Sequence, residues 1–451
     1  MSVSIGQFRK LPLNKAVSSI LERFLNTSAS TAGLRRIEVP LEPVDLIGWL
    51  SNQSLNEKFY WSDRSKTFEV AGLGACVKWQ GATPELQASA FQDIDTVLSN
   101  SSPAVKIFGG LLFDEFTDDE AWGKFGQYYF LLPQVEVIRR DEEYFLALNV
   151  RSGQEPSIRS FLERVETETH FRRGTIPQLL SRTDLPGKHT FIQNVADVTK
   201  RIQQQEIRKA VLARKTIFQF DAILNCIEIF HRLVEQTPNC FHFFIQPAAD
   251  VVFLGASPER LYRREGQRLK TEALAGTRSR GLSKEHDNLL KKELLNSVKD
   301  RHEHEIVVED ITASLSGLAE GIDHDETCSL MTLKGGHHLI TRVQADLRSS
   351  VRDRDLMQTL HPTSAVAGTP TQSALEIIRR LEPFSRGFYA APVGFFSRAE
   401  SEFCVAIRSG LIDNDSVSLF SGAGIVADSD PISEWEEIEN KMGTFLRALN
   451  D

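Results

Sequence analysis

The sequence predicts an α+β fold: a large, mainly antiparallel β-sheet system flanked by helices. Three observations carry that expectation. Strand-like runs of alternating or continuous apolar residues recur along the chain. Helical stretches lie among them without a regular strand–helix–strand beat, which argues against a parallel α/β sheet. No linker-like tract divides the 451 residues, so residues 1–189, an N-terminal α+β portion, and residues 190–451 are expected to form one compact unit.

The elements follow in order. Leu11–Leu25 reads as a helix, and Phe68–Trp79 as a strand-like run whose halves flank Gly72 and Gly74 as in a hairpin. Short loop-like seams lie at Ser152–Pro156 and Ser181–Lys188. Ile192–Gln205 reads as a helix, Lys209–Phe220 as a strand and Ala222–Gln236 as a helix. Phe241–Ile245 and Val251–Gly255 read as paired strands, Leu282–Leu318 as mostly helical, and Ser373–Leu381 as a further helix. Phe403–Leu411 and Ser416–Ile425 alternate as two strands joined by the turn-forming Asp413-Asn414-Asp415. A helix from Pro431 to Leu449 closes the chain, with Pro in its first turn.

Composition narrows the function classes. With 52 basic and 61 acidic side chains the formal charge is −9, and no Lys/Arg block is segregated from it, so nucleic acid and anionic membrane surfaces are poor partners. Five scattered cysteines without a CxxC pair read as reduced thiols of a cytoplasmic protein. The first fifteen residues lack a signal-peptide core, and no apolar run is long enough to span a bilayer.

Several constellations carry possible chemistry. Gly422-Ala423-Gly424-Ile425-Val426-Ala427 satisfies G-x-G-x-x-G/A after a strand. Asp428 and Asp430 follow where a phosphate would need a helix N-terminus, so a nucleotide site is rejected. The glycines still allow a ligand close to the backbone. Asp300 with Glu303, and Glu434 with Glu437, are acidic pairs three apart on helices. Such pairs are usually solvated faces, but they suit a hard cation such as Mg²⁺. His302 and His304, two apart, diverge on a helix and make a poor zinc site; His337-His338 and His361 read as loop or core histidines. Lys209 opens an apolar strand: it is either an edge lysine reaching solvent or, facing a closed pocket, a base made usable by desolvation. Glu259, after Gly255-Ala256-Ser257-Pro258, is either an ion-pair partner of Arg260 or an acid complementary to that base.

Eight segments resemble the chorismate-utilising enzymes in order and spacing from about residue 190 to the end. They are Lys209–Arg214, Gly255–Leu261, Thr271–Thr277, Val307–Ile311, His361–Gly368, Ser401–Arg408, Ser421–Ile425, and Glu434–Glu437 followed by Asn440-Lys441. The nearest likeness is to isochorismate synthases of the menaquinone type, with an anthranilate synthase component I-like fold. The resemblance implies a Mg²⁺-dependent isomerase acting on chorismate. It implies Lys209 as general base and Glu259 as general acid, with Glu303 and Glu437 as metal ligands and Glu434 reaching the ion through water. Arg408, Gly422, Gly424, Thr277, Lys441 and Tyr389 would bind substrate. Lys209 together with Ala275 resembles the water-using members, without an amidotransferase subunit, as a monomer or homodimer. Salicylate synthases share that pair and then eliminate pyruvate, so they are the alternative. Ser364 and His361 vary within the family and receive no catalytic role.

Overall fold

The computed structural model describes residues 10–26, 33–114 and 120–450. Residues 1–9, most of the stretch read for a leader, lie outside it. Among the described residues no helix is long and apolar enough to cross a membrane.

Among the described residues twenty strands form two layers, each of these strands pairing antiparallel. The first layer runs in the order β7 (Leu179–Leu185), β8 (Lys209–Phe220), β20 (Ser416–Ile425), β19 (Ser409–Asp413), β10 (Val251–Ser257), β9 (Phe241–Ala248), β2 (Lys58–Ser62), β3 (Phe68–Gly81), β5 (Tyr128–Arg140), β6 (Glu143–Arg151), β1 (Leu34–Leu41). The two-residue β16 (Gly368–Thr369) pairs with the start of β8. The second layer runs β4 (Lys106–Leu111), β17 (Pro392–Ser397), β18 (Glu400–Val405), β11 (Arg260–Glu265), β12 (Arg268–Ser279), β15 (Gly336–Leu347), with β13 (Ala319–His324) and β14 (Ser329–Thr332) both on β15. Strand β5 links the layers: Tyr128–Leu131 pairs with β4 and Val135–Arg140 with β6. Strands from before and after residue 190 share both layers, as β2 with β9 and β4 with β17.

Period-two alternation divides the side chains between faces. On β2, β9 and β10, Phe59, Trp61, Phe241, Phe243 and Phe253 point into the interlayer core, where Trp61 and Phe108 meet Phe395. Tyr60, Phe244, Val252 and Leu254 point the other way. That outer face is covered by α1 (Leu13–Asn26), α2 (Leu46–Ser51), α5 (Glu155–Leu162), α7 (Cys226–Gln236) and the end of α12 (Pro431–Leu449). At the other end, α6 (Lys188–Gln203), α11 (Thr371–Leu381) and the start of α12 cover Ala210, Leu212, Ala423 and Ile425. Helices α3 (Pro84–Ser99), α4 (Glu120–Gly123) and α10 (Asp353–Leu360) add side chains to the interlayer core, and α8 (Lys284–Asn296) and α9 (Val298–Leu315) pack on β12.

Four expectations are corrected. Phe68–Gly81 is one long strand, not a hairpin: Gly74 takes φ +60° and the register on β5 shifts between Ala75 and Val77, so the glycine serves a bulge. The Ser181–Lys188 seam is largely β7, an edge strand on β8 whose exposed, polar residues hide its pairing. The helical run 282–318 breaks at Ser297, whose hydroxyl caps α9 by accepting from Asp300 N. Phe403–Leu411 is two strands, β18 in the second layer and β19 in the first, with Arg408 at φ +52° between them.

Candidate active site

The break at Arg408 places the site. The chain crosses between layers twice in the same corner, at Pro258-Glu259 between β10 and β11, and at Ala406–Arg408 between β18 and β19. The crossings are tied together: Val405 N donates to Glu259 O at 3.0 Å, Ser257 Oγ to Val405 O at 2.5 Å, and Ala256 N to Arg408 O at 3.1 Å. Glu259 and Arg408 are thereby set side by side in a cavity of about 100 Å³. A left-handed conformation at a half-buried arginine is uncommon and is held here by its surroundings.

The remaining walls come from β8, β12, β20, α9 and α12. Ala210 and Leu212 on β8 face the helices, which turns Lys209 and Val211 the other way. On β20, Ala423 and Ile425 do the same for Gly422 and Gly424. A bulge at Gly276, φ +76°, re-aims Thr277 on β12. Glu434, Glu437 and Lys441 share one face of α12 by spacing.

Lys209 is 0 % exposed, so it does not reach solvent. Its Nζ lies 3.1 Å from Glu303 Oε1 without hydrogen-bond geometry, leaving the amine an ion-pair contact and no hydrogen-bonded partner. Gly424 makes room for this pair, because a Cβ there would overlap the Glu303 carboxylate and sit 3.0 Å from Lys209 Cε. Glu259 does not pair with Arg260, which turns to Glu402 and Glu272. Burial, reinforced by nearby Glu272, pushes the Glu259 carboxyl from 4.5 up to about 8 against the pull of Lys209, Lys441 and Arg408. It is therefore a protonated acid near neutral pH.

Lys441 Nζ meets Glu437 Oε1 at 2.7 Å and donates to Gly422 O at 2.9 Å. Burial works to raise the Glu437 carboxyl, but Lys441, Lys299 and Arg278 hold it below the ordinary value. Tyr389 lines the cavity stacked on Phe420, its hydroxyl pushed by burial to about 12. Glu434 does not line the cavity; it is buried against Lys299 at 2.6 Å. Among the described residues no cluster of three or more His, Cys, Asp or Glu is drawn tightly enough to hold a metal by itself. Glu303 and Glu437 nonetheless present hard oxygen donors to the same cavity, a donor set of the kind Mg²⁺ takes when substrate and water complete its shell.

The family model for chorismate binding enzymes matches residues 19–450, nearly the whole chain. The chain belongs to the chorismate-binding enzymes. Among curated members it is 34 % identical to isochorismate synthase MenF of Haemophilus influenzae and 30 % to MenF of Bacillus subtilis, covering 92 % of both partners in each comparison. It is 31 % identical to the salicylate biosynthesis isochorismate synthase of Pseudomonas aeruginosa, over 91 % of this chain and 88 % of the other. The solved menaquinone-specific isochorismate synthase of Escherichia coli superposes with TM-score 0.88 at 30 % identity, over 98 % of this chain and 100 % of the other. Anthranilate synthase component I of Streptococcus pneumoniae, at 18 % identity and TM-score 0.67, shares the fold over 98 % of this chain and 100 % of its own.

One site residue of this family member, His338, carries no mark of its role in the sequence. His338 lines the cavity, and Arg408 Nη2 donates to its Nε2 at 2.8 Å. The guanidinium has only donors, and burial beside Arg408 and Lys441 holds the imidazole neutral. The ring proton therefore sits on Nδ1, facing Thr277 Oγ1 at 3.0 Å. The chain Arg408–His338–Thr277 ties the β18–β19 crossing to β15 and β12. Three other histidines are structural: His304 bonds Thr341 at 2.8 Å, His337 bonds Asp287 at 2.9 Å, and His361 bonds Leu112 O at 3.1 Å. No signal in the doublet His337-His338 marks which ring faces the cavity, since strand register alone decides it.

Proposed function

We propose that this chain is an isochorismate synthase, converting chorismate to isochorismate. One observation carries the reading: a carboxyl held protonated lines the cavity, and a buried amine without a hydrogen-bonded partner lies directly behind its wall, 3.1 Å from the lining Glu303. That is the acid–base couple needed to exchange a hydroxyl across a ring. Lys209 removes a proton from water as its oxygen bonds to ring carbon 2. The ring double bonds shift, the carbon 4–oxygen bond breaks, and Glu259 gives its proton to the leaving hydroxyl, which departs as water. Atoms balance as a net isomerisation.

Arg408, oriented by His338, pairs with the enolpyruvyl carboxylate through its fork. Lys441, with the backbone at Gly422 and Gly424, takes the ring carboxylate; Thr277 and Tyr389 complete the walls. Glu303 and Glu437 would hold Mg²⁺, with Glu434 behind them, and the ion would supply charge neutralisation and orientation for that carboxylate. Ala275 lines the cavity without a nucleophile, which supports water as the attacking group and a chain working without an amidotransferase subunit, as monomer or homodimer. The likeness to menaquinone-specific relatives supports a role in quinone synthesis, and five thiols outside any disulfide support a cytoplasmic setting.

Product analysis after incubation with chorismate and Mg²⁺ tests this. Isochorismate without pyruvate, lost on chelation and restored by Mg²⁺, is expected. Stoichiometric pyruvate with salicylate would make the protein a salicylate synthase, and unchanged chorismate would refute both.

A further inference from the structure

A wider cavity of about 790 Å³ adjoins the first, the two sharing Thr277, Arg408, Glu437 and Lys441. Its cations outnumber its carboxylates on a protein of net charge −9. Four of them are matched: Arg278 by Asp300, Arg280 by Asp287, Lys299 by Glu434 and Lys441 by Glu437. At the exposed rim, Lys334 and Arg447 have no carboxylate partner among the described residues, and they face one exposed carboxylate, Glu436. The fold brings them together. Gly335, in the turn between β14 and β15, approaches Thr444 so closely that a Cβ would lie 3.3 Å from its Oγ1, and Arg447 Nη2 donates to that same hydroxyl at 3.3 Å.

We propose that Lys334 and Arg447 form an electrostatic entrance that draws the dianionic substrate past a net-negative surface towards Arg408. The inference rests on the activity proposed above, since it requires a small dicarboxylate as substrate. Neither residue belongs to the reacting centre. Fixed positive charge at the mouth of a cleft raises the local concentration of an anion and its encounter rate, and salt screens the effect.

The test is the double variant Lys334→Gln/Arg447→Gln, assayed with chorismate and Mg²⁺ at low ionic strength and at about 1 M salt, where the Debye length shrinks to roughly 3 Å. kcat/KM should fall about 3- to 10-fold at low salt with kcat unchanged, and the deficit should vanish at high salt. Glu436→Gln should raise kcat/KM at low salt. The charge-conserving Lys334→Arg/Arg447→Lys pair should match the parent. A double variant with unaltered kcat/KM at low salt, a deficit that persists at high salt, or a loss confined to kcat would overturn the entrance while leaving the activity standing. A parent protein inert towards chorismate would overturn the activity and the entrance with it.

Discussion

Replacing Glu259 with Gln keeps the side chain's shape and removes its proton chemistry, so it separates what the carboxyl does for the reaction from what it costs the fold. The ordinary carboxyl titrates at 4.5 and this one at about 8. Above pH 4.5 the unfolded chain releases the proton while the folded one keeps it, so ionisation favours unfolding. The native state therefore loses stability as pH rises from 4.5 to 8, and the loss is constant above 8. At pH 7 it amounts to roughly 3 kcal/mol. Glu259→Gln lacks this penalty and should melt about 3 °C higher at pH 7, given the unfolding entropy of a chain this long. The gap should shrink towards zero near pH 4.5. The same variant should lose about 10²- to 10⁴-fold in kcat, the usual worth of a positioned acid. Thermal melts of both proteins from pH 4.5 to 9, beside turnover assays, read the two effects together. A variant no more stable than the parent at pH 8, or a gap independent of pH, would refute the assignment of Glu259 as a buried, protonated acid.

Other substitutions probe the neighbouring parts. Lys209→Ala should abolish turnover while circular dichroism and melting remain those of a folded protein; near-normal activity would remove it as base. Gly424→Ala places a methyl against the Glu303 carboxylate and Lys209, so kcat should fall by about 10²-fold, the order expected of a displacement near 1 Å; parent-like kinetics would show that the close approach is unnecessary. Arg408→Lys keeps charge but loses the fork and the reach to His338. KM should rise at least tenfold with the protein folded, and an unchanged KM would detach Arg408 from the substrate carboxylate.

Much of this fold is legible in local patterning. The alternation in Lys209–Phe220 and Ser416–Ile425 and the Asp430-Pro431 start delimit β8, β20 and α12 because nothing tertiary competes with those signals. The break at Arg408 is not legible. Ala406 and Ile407 continue the apolar run of β18 up to Arg408, and only the crossing between layers requires the left-handed turn. β7 is hidden for the opposite reason: an edge strand with exposed polar side chains lacks alternation, although its backbone pairs along β8. Likeness to a family marks the candidate residues in the sequence, whereas the protonation of Glu259 depends on burial. Glu259 is 5 % exposed and Lys209 fully buried, and neither number is written in the flanking residues.

One reaction in ¹⁸O-labelled water, with chorismate, Mg²⁺ and the parent protein, read by mass spectrometry of the product, shows whether water is the nucleophile. Addition of water at carbon 2 with departure of the carbon 4 hydroxyl predicts isochorismate carrying one ¹⁸O, in its new hydroxyl, and no released pyruvate. Isochorismate formed without label would contradict water as the nucleophile and Lys209 as its base.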